Sequence, residues 1–565
     1  MNLSINRIHI AMLKNSQLFF SLFLSFALVF SGCDSKKSFS AKKGPLPEKN
    51  VSGPVLNVML DTSIQLIDQQ VSTEGTVFEI VGDLLDGLMQ MAEDGSVVPA
   101  VAKSMSVSPD GLVYTFNLRD DSYWSNGEPV TARDFVYAWE RACTPSTEAE
   151  YSYLMSDIAH IKNAVAIQAG QMEPNQLGVR ALDDYTLQVQ LEVPLSFFDQ
   201  LLYFCTFYPA NEKFIKSCGS SYGTSPETFL SNGAFILKDF KPGASSLDLV
   251  KNTAYYDASK IQLGGIHYEV VKSPAEALSK FRSGQLDLIE VSGSVVGEVK
   301  DSPEFKTVES GFLWYLTANM EMREFANLNM RRAFTFAIDR GVITDSVIAD
   351  GSRPTYTAIP SAFAFNSSGQ DFTTASVEFP ELCSYDPEKA RECWRMAQNE
   401  LGRSSFTFKL LADDTQTQTA VANEIKRQLE ANLPGLSIEV ESIQKSARLD
   451  RMSEADFEIA LTRWGPDYAD PMTYLSLWTT GNENNYGHFS DPTYDAIIAN
   501  CSDGELSTKL SERWSAMKDA EKIIMREAVI FPLYQQCGAD LMKSNVKGVA
   551  FHPVGINRIY KNARK

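Results

Sequence analysis

A strand, a helix and a second strand follow one another over residues 406–440, and that order constrains the fold more than any other stretch of the chain. Phe406–Leu411 reads as a strand. Val421, Ile425 and Leu429 fall on one face of a helix that ends at Pro434-Gly435, and Leu436, Ile438 and Val440 alternate after it. A strand joined to the next by a crossover helix pairs with it in parallel, which makes the class α/β. The same rhythm recurs over Ile266–Ile289. At 565 residues the chain exceeds what one hydrophobic core supports, so two or three domains are expected.

Other local signals sit nearer the N-terminus. Thr76 and Glu79 have the spacing of a capping box, followed by apolar Val77, Ile80, Val81, Leu84, Leu85 and Leu88, which predicts an amphipathic helix. Asp110-Gly111 marks a turn, and Leu112, Tyr114, Phe116 and Leu118 alternate with polar or smaller residues as in a half-buried strand. Thr131 with Asp134 caps a second helix carrying Phe135, Val136 and Trp139.

The first 32 residues carry two basic side chains, Arg7 and Lys14, and no acidic one. The apolar stretch Leu18–Phe30 is too short and too abruptly ended to span a bilayer comfortably, and Ser31-Gly32 completes the pattern of a secretory signal. Cys33 follows directly. The arrangement resembles the lipobox of bacterial lipoproteins, in which that cysteine is acylated; Phe30 stands where leucine is usual. Residues 34–54 mix Lys with Ser, Gly and Pro and hold almost no large apolar side chain, so they read as a flexible tether spanning about 25 Å. The net charge of −20 leaves no concentrated basic surface for a phosphate backbone, which excludes nucleic acid as a partner.

Signals for catalysis or metal binding are weak. None of the eight cysteines forms a CxxC pair, which argues against zinc. With Cys33 assigned to lipid, an odd number remains; Cys205–Cys218 and Cys383–Cys393 are the nearest pairs, with disulfides and buried free thiols both open. Gly219–Gly223 spells GxSxG, but polar Glu212–Cys218 precedes it and Pro226 follows, so a surface loop fits better than the strand–elbow–helix of a hydrolase. Neither HExxH nor a phosphate-binding glycine loop occurs, and no cofactor is implied.

From Pro99 onward the chain resembles the oligopeptide- and dipeptide-binding proteins of bacterial ABC importers, solute-binding protein family 5. Pro99–Ala102, Ser108–Phe116, Leu118-Arg119, Trp124–Ala132 and Asp134–Tyr137 carry the resemblance most strongly. Asn232–Phe235, Asn252 with Tyr255-Tyr256, Phe281–Asp287, Met330–Ala333, Ala337–Arg340, Tyr385–Ala390 and Trp464–Pro471 continue it, so that residues 55–540 match in order.

The resemblance implies a two-lobed, type II periplasmic-binding-protein fold with an extra subdomain in the first lobe. It places residues 55–80, 200–305 and 535–565 in the core of lobe I, 81–199 in the extra subdomain and 306–534 in lobe II, after a signal peptide at 1–32 and an anchor with tether at 33–54. The function implied is capture of short peptides and their delivery to the permease subunits of an ABC importer. The protein would be a monomer in the cell envelope, in the periplasm or on the outer face of the cytoplasmic membrane, tethered through Cys33, and would perform no reaction. Asp467, three residues after Trp464, matches the aspartate that receives a peptide's α-ammonium group, with Trp464 and Tyr468 beside it. Ser63–Leu66, with Ile64 and Leu66, matches the strand whose main chain pairs with bound peptide. Tyr151 and Tyr153 lie where the family places one tyrosine over the ligand, and Arg451 lies near an arginine that faces the peptide carboxylate. Two departures bear on selectivity: Ile67-Asp68-Gln69 replaces the family's Leu-Asp-Pro, and Gln444-Lys445 stands near the place of a second tryptophan. A same-fold receptor for a metal chelate, haem, glutathione or a sugar, a sensor or adhesion lipoprotein, and a hydrolase are the alternatives.

Overall fold

A computed structural model describes residues 43–48, 51–92, 96–292, 294–366, 368–375 and 379–565. The signal peptide, Cys33 and most of the tether lie outside the described residues.

The parallel pairing expected from residues 406–440 is present. Strands Phe406–Asp413 and Leu436–Ile443 run in parallel, in register from Phe406↔Leu436 to Asp413↔Ile443. The crossover helix Gln416–Asn432 starts where the Thr415 side chain accepts a hydrogen bond from Gln418 N, and it buries Val421, Ile425 and Leu429. Gly435 turns the chain at φ +88°, and a Cβ there would meet the Ser404 carbonyl oxygen at 2.5 Å, so only glycine fits. The second unit is Gly265–Val270, helix Pro274–Arg282 and Leu288–Val291; its two strands flank strand Val55–Leu60, and both are parallel to it.

All of these strands belong to one eleven-stranded sheet whose ends are joined by two long antiparallel strands, Phe305–Ala318 and Ile530–Met542. The first half of Phe305–Ala318 and the last residues of Ile530–Met542 lie toward Leu288–Val291 and Val55–Leu60. Their other halves pair toward Ile459–Trp464 and the Phe406–Ile443 unit. The register slips between Glu309 and Leu313, so the pleat is interrupted at Ser310–Phe312, where one end of the sheet gives way to the other.

A separate four-stranded antiparallel sheet comprises Ala102–Val107, Val113–Leu118, Thr186–Gln190 and Val179–Asp183. Tyr114, Phe116 and Leu118 face inward, as their alternation requires. Helix Ala132–Cys143 carries the expected capping box: Asp134 Oδ2 accepts from Thr131 N at 2.7 Å. Trp124, Phe135 and Trp139 are fully buried, so this motif-rich stretch is core.

One local expectation needs correction, and one open alternative is decided. The helix assigned to a Thr76–Glu79 box runs over Gly75–Leu84, with Glu74 at its cap and no side-chain cap bond; Glu79 is buried and pairs with Arg558 instead. The cysteines considered as disulfide partners are free thiols, as are all seven among the described residues. Cys205 is buried in a 3-10 turn while Cys218 ends a different helix, and Cys383 and Cys393 sit on separate helices. The GxSxG stretch follows helix Glu212–Cys218, not a strand.

Candidate ligand-binding site

Strand Ile459–Trp464 pairs with Phe305–Ala318 up to Leu313↔Trp464, then ends at the pleat interruption. A Cβ on Gly465 would strike the Phe312 ring at 2.2 Å, and one on Gly311 would strike Pro466 at 2.3 Å. The loop therefore lies directly on the bulged segment. It is fixed by polar contacts as well. Asp467 N–H donates to Thr473 Oγ1 at 3.1 Å, and the Tyr474 hydroxyl donates to the Gly311 carbonyl. Asp470 accepts from Met472 N at 3.0 Å and is gripped by both terminal nitrogens of Arg513, at 2.7 and 2.8 Å.

This frame holds the Asp467 carboxylate in a half-buried position. Burial pushes its pKa up to about 6, while a hydrogen bond donated by the Tyr153 hydroxyl works in the opposite direction. Tyr151 packs on Phe78 and Phe204, with ring centroids 5.5 and 4.9 Å away, and lies 6.1 Å from Tyr153. Tyr468 stacks on Phe197 at 5.1 Å with the rings parallel to within 2°. Trp464 is partly exposed, and its buried Nε1 has no hydrogen-bond partner among the described residues. Asp467, Tyr153 and Tyr468 thus form one cluster, in which a desolvated carboxylate accepts from the Tyr153 hydroxyl and interacts electrostatically with Tyr468. Such a site suits a cation, which would restore the missing solvation through charge-assisted hydrogen bonds.

The remaining candidates lie elsewhere in the network. Ser63–Leu66 pairs with no strand among the described residues. Ile64 is buried and its carbonyl accepts from Gly243 N at 2.8 Å, while Leu66 is half-exposed. Arg451, on helix Lys445–Ser453, donates to Glu441 at 2.9 Å and to Asp456 at 2.8 Å, so two carboxylates already hold it. Arg463 was overlooked from sequence. Its guanidinium lies 4.3 Å from the Phe312 ring centroid and donates to Gln536 at 2.9 Å, beside the loop that carries Asp467. A cation near the end of the mostly apolar strand Ile459–Trp464 was the available signal. Among the described residues, no group of three or more His, Cys, Asp or Glu could hold a metal ion, and no helix is long and apolar enough to cross a membrane.

Comparison with known proteins extends the likeness across the chain. Residues 96–486 match the model of the bacterial extracellular solute-binding proteins, family 5 (middle). The dipeptide-binding protein of Lactococcus lactis is 29% identical over 554 residues, covering 95% of this chain and 96% of that one. Among solved structures, Listeria monocytogenes OppA bound to peptide is 34% identical, with a TM-score of 0.68 over 91% of this chain and 99% of that one. The unliganded open form of the murein tripeptide-binding protein MppA is 26% identical, with a TM-score of 0.79 over 92% and 98% of the two chains. The architecture is accordingly the two-lobed, type II periplasmic-binding fold of class α/β with an extra subdomain in the first lobe. On the shared family model and a structural match over 91% of its length, the chain belongs to the bacterial extracellular solute-binding proteins of family 5.

Proposed function

We propose that this protein is an extracytoplasmic receptor that encloses short peptides between its two lobes and presents them to the permease of an ABC importer, performing no reaction. The observation that carries the reading is the Asp467 carboxylate: half-buried, raised to about 6 by desolvation and flanked by Tyr153 and Tyr468, it suits an α-ammonium group. The printed names of the relatives, a dipeptide-binding protein and a peptide-bound receptor, point the same way. In this reading residues 55–80, 200–305 and 535–565 form lobe I, 81–199 the extra subdomain and 306–534 lobe II. The lobes close about the bulged crossing strands at Ser310–Phe312. Tyr153, Tyr468 and Trp464 flank the peptide's first residue, and the main chain at Ile64–Leu66 pairs with the peptide. Arg451 reaches a peptide carboxylate only by releasing Glu441 or Asp456.

Calorimetric titration of a free tripeptide and its N-acetylated form tests this. The free peptide is expected to bind much more tightly at pH 7. Binding a cation requires ionised Asp467, so its affinity should fall about tenfold from pH 7 to pH 5, one unit below the raised pKa. Equal affinity for the acetylated peptide defeats the amine-recognition reading and favours a non-peptide solute.

The reading includes a lipid anchor at Cys33, placed there by the basic, apolar and small-residue run that precedes it. Cys33→Ser should abolish incorporation of radiolabelled palmitate, and undiminished label would rule the anchor out.

A further inference from the structure

Residues 34–54 have the composition of a free tether, yet the part of it that the structure describes is seated on the body. Gly44 N–H donates to the Gly127 carbonyl at 2.8 Å, and Glu48 N–H donates to Thr253 Oγ1 at 2.7 Å. Pro45 and Pro47 have no N–H, so two of the three main-chain donors in Gly44–Glu48 are spent on segments distant in sequence. Further on, Gly264 N–H donates to the Pro54 carbonyl at 2.8 Å, and a Cβ on Gly53 would meet Gly264 N at 2.9 Å. Contact thus runs from the turn at Tyr123–Gly127, past Thr253, to the start of strand Val55–Leu60.

Two glycines show how closely the segment fits. Gly44 has no left-handed φ that would call for glycine, but a Cβ on it would run into the Tyr123 ring. Gly127, at φ +80° in its turn, is buried under the segment, and a Cβ there would meet the Gly44 carbonyl oxygen and Leu46 Cδ2, each at 3.2 Å. The two prolines lower the cost of docking, because their fixed φ angles leave the undocked chain less freedom to lose. The partners named here all lie within residues 81–305, the extra subdomain and part of the lobe I core in the division proposed above.

We propose that Gly44–Glu48 is a clasp: it docks the anchor segment on lobe I, so that the leash to the lipid leaves the body beside Tyr123 and this face is held toward the bilayer. The proposal rests on the reading of Cys33 as the lipid anchor. With the clasp shut, ten residues, 34–43, separate the lipid from the body; with it released through residue 50, seventeen do. Coils of those lengths span roughly 17 and 23 Å. The clasp therefore keeps lobe I near the membrane while lobe II closes on ligand.

Hydrogen exchange of the mature, acylated protein, read by mass spectrometry, tests the clasp. Neutron reflectometry of the same protein on a supported bilayer of phosphatidylethanolamine and phosphatidylglycerol tests the leash. The amides of Gly44 and Glu48 should exchange at least about tenfold more slowly than in a synthetic peptide of residues 40–50. Gly44→Val/Thr253→Val should abolish that protection and widen the water gap between bilayer and body by about a third. Thr253→Val alone, a change of similar shape at a half-buried residue, should release Glu48 while Gly44 stays protected. Amides that exchange as fast as in the peptide overturn the clasp, with or without lipid. Protected amides and a gap that the double variant leaves unchanged overturn its control of the leash. Absence of palmitate at Cys33 instead defeats the anchor reading, and the leash falls with it; the exchange result still decides the docking.

Discussion

Asp467→Asn is expected to weaken binding of a free tripeptide by about 2–5 kcal/mol, a loss of roughly 30-fold to several-thousand-fold in affinity. The substitution keeps the shape of the side chain and its hydrogen bond with Tyr153, but removes the charge that faces a desolvated ammonium. The cost is large because the surroundings that raise the Asp467 pKa to about 6 also exclude the water that would otherwise solvate the ligand's cation. An N-acetylated peptide carries no ammonium, so its weak binding should be almost unaffected, and the fall in affinity between pH 7 and pH 5 should disappear for the free peptide. The contact with Tyr153 alone predicts a different pattern, in which stability drops slightly and both ligands respond alike. Titration of both peptides against both proteins, at both pH values, separates the two.

Arg513→Leu should destabilise the fold by about 3–5 kcal/mol, measured as a lowered midpoint of denaturant unfolding, because it leaves the Asp470 carboxylate buried without its cation. The pair is bidentate, and its side chains are 4% and 9% exposed. Arg513 also donates to the Cys501 carbonyl at 2.9 Å and stands 5.0 Å from the Phe197 ring, the ring on which Tyr468 stacks. The effect therefore extends to the site, and peptide affinity should fall along with stability even though residue 513 is not proposed to touch the ligand. Replacing Asp470 by Leu in the same chain should recover part of the stability, since an apolar pair of similar size avoids burying an unpaired charge. It should not recover all of it, because Asp470 also accepts the Met472 N–H at the start of the short helix behind the loop. A stability loss below about 1 kcal/mol for Arg513→Leu would mean that the pair is solvated and that the loop is held by Thr473 and Tyr474 instead.

Sequence alone determined the elements whose cause is local. The alternation of Tyr114, Phe116 and Leu118, the Thr131–Asp134 box, and the crossover helix between Phe406 and Ile443 each depend on periodicity or spacing within one segment, and each appears where it was expected. The parallel pairing followed from connectivity, and family membership from ordered motifs over most of the chain. What failed also failed for a local reason. Thr76 and Glu79 have cap-box spacing, yet Glu79 is drawn to Arg558, 479 residues away, and the helix starts one residue before Thr76. For Cys205 and Cys218 sequence left disulfide and free thiols both open, and only the fold decides that they are free, on different elements with different exposure. The site divides in the same way. A motif placed Asp467 behind Trp464, and likeness to the family suggested Tyr151 or Tyr153. That the Tyr153 hydroxyl meets the carboxylate, that Arg451 is held by Glu441 and Asp456, and that Arg463 lies over Phe312 were decided by tertiary structure. The physical reason is that burial and pairing of charge depend on side chains distant in sequence, whose approach is set by the sheet's register and by the bulge at Ser310–Phe312, neither of which has a local signature.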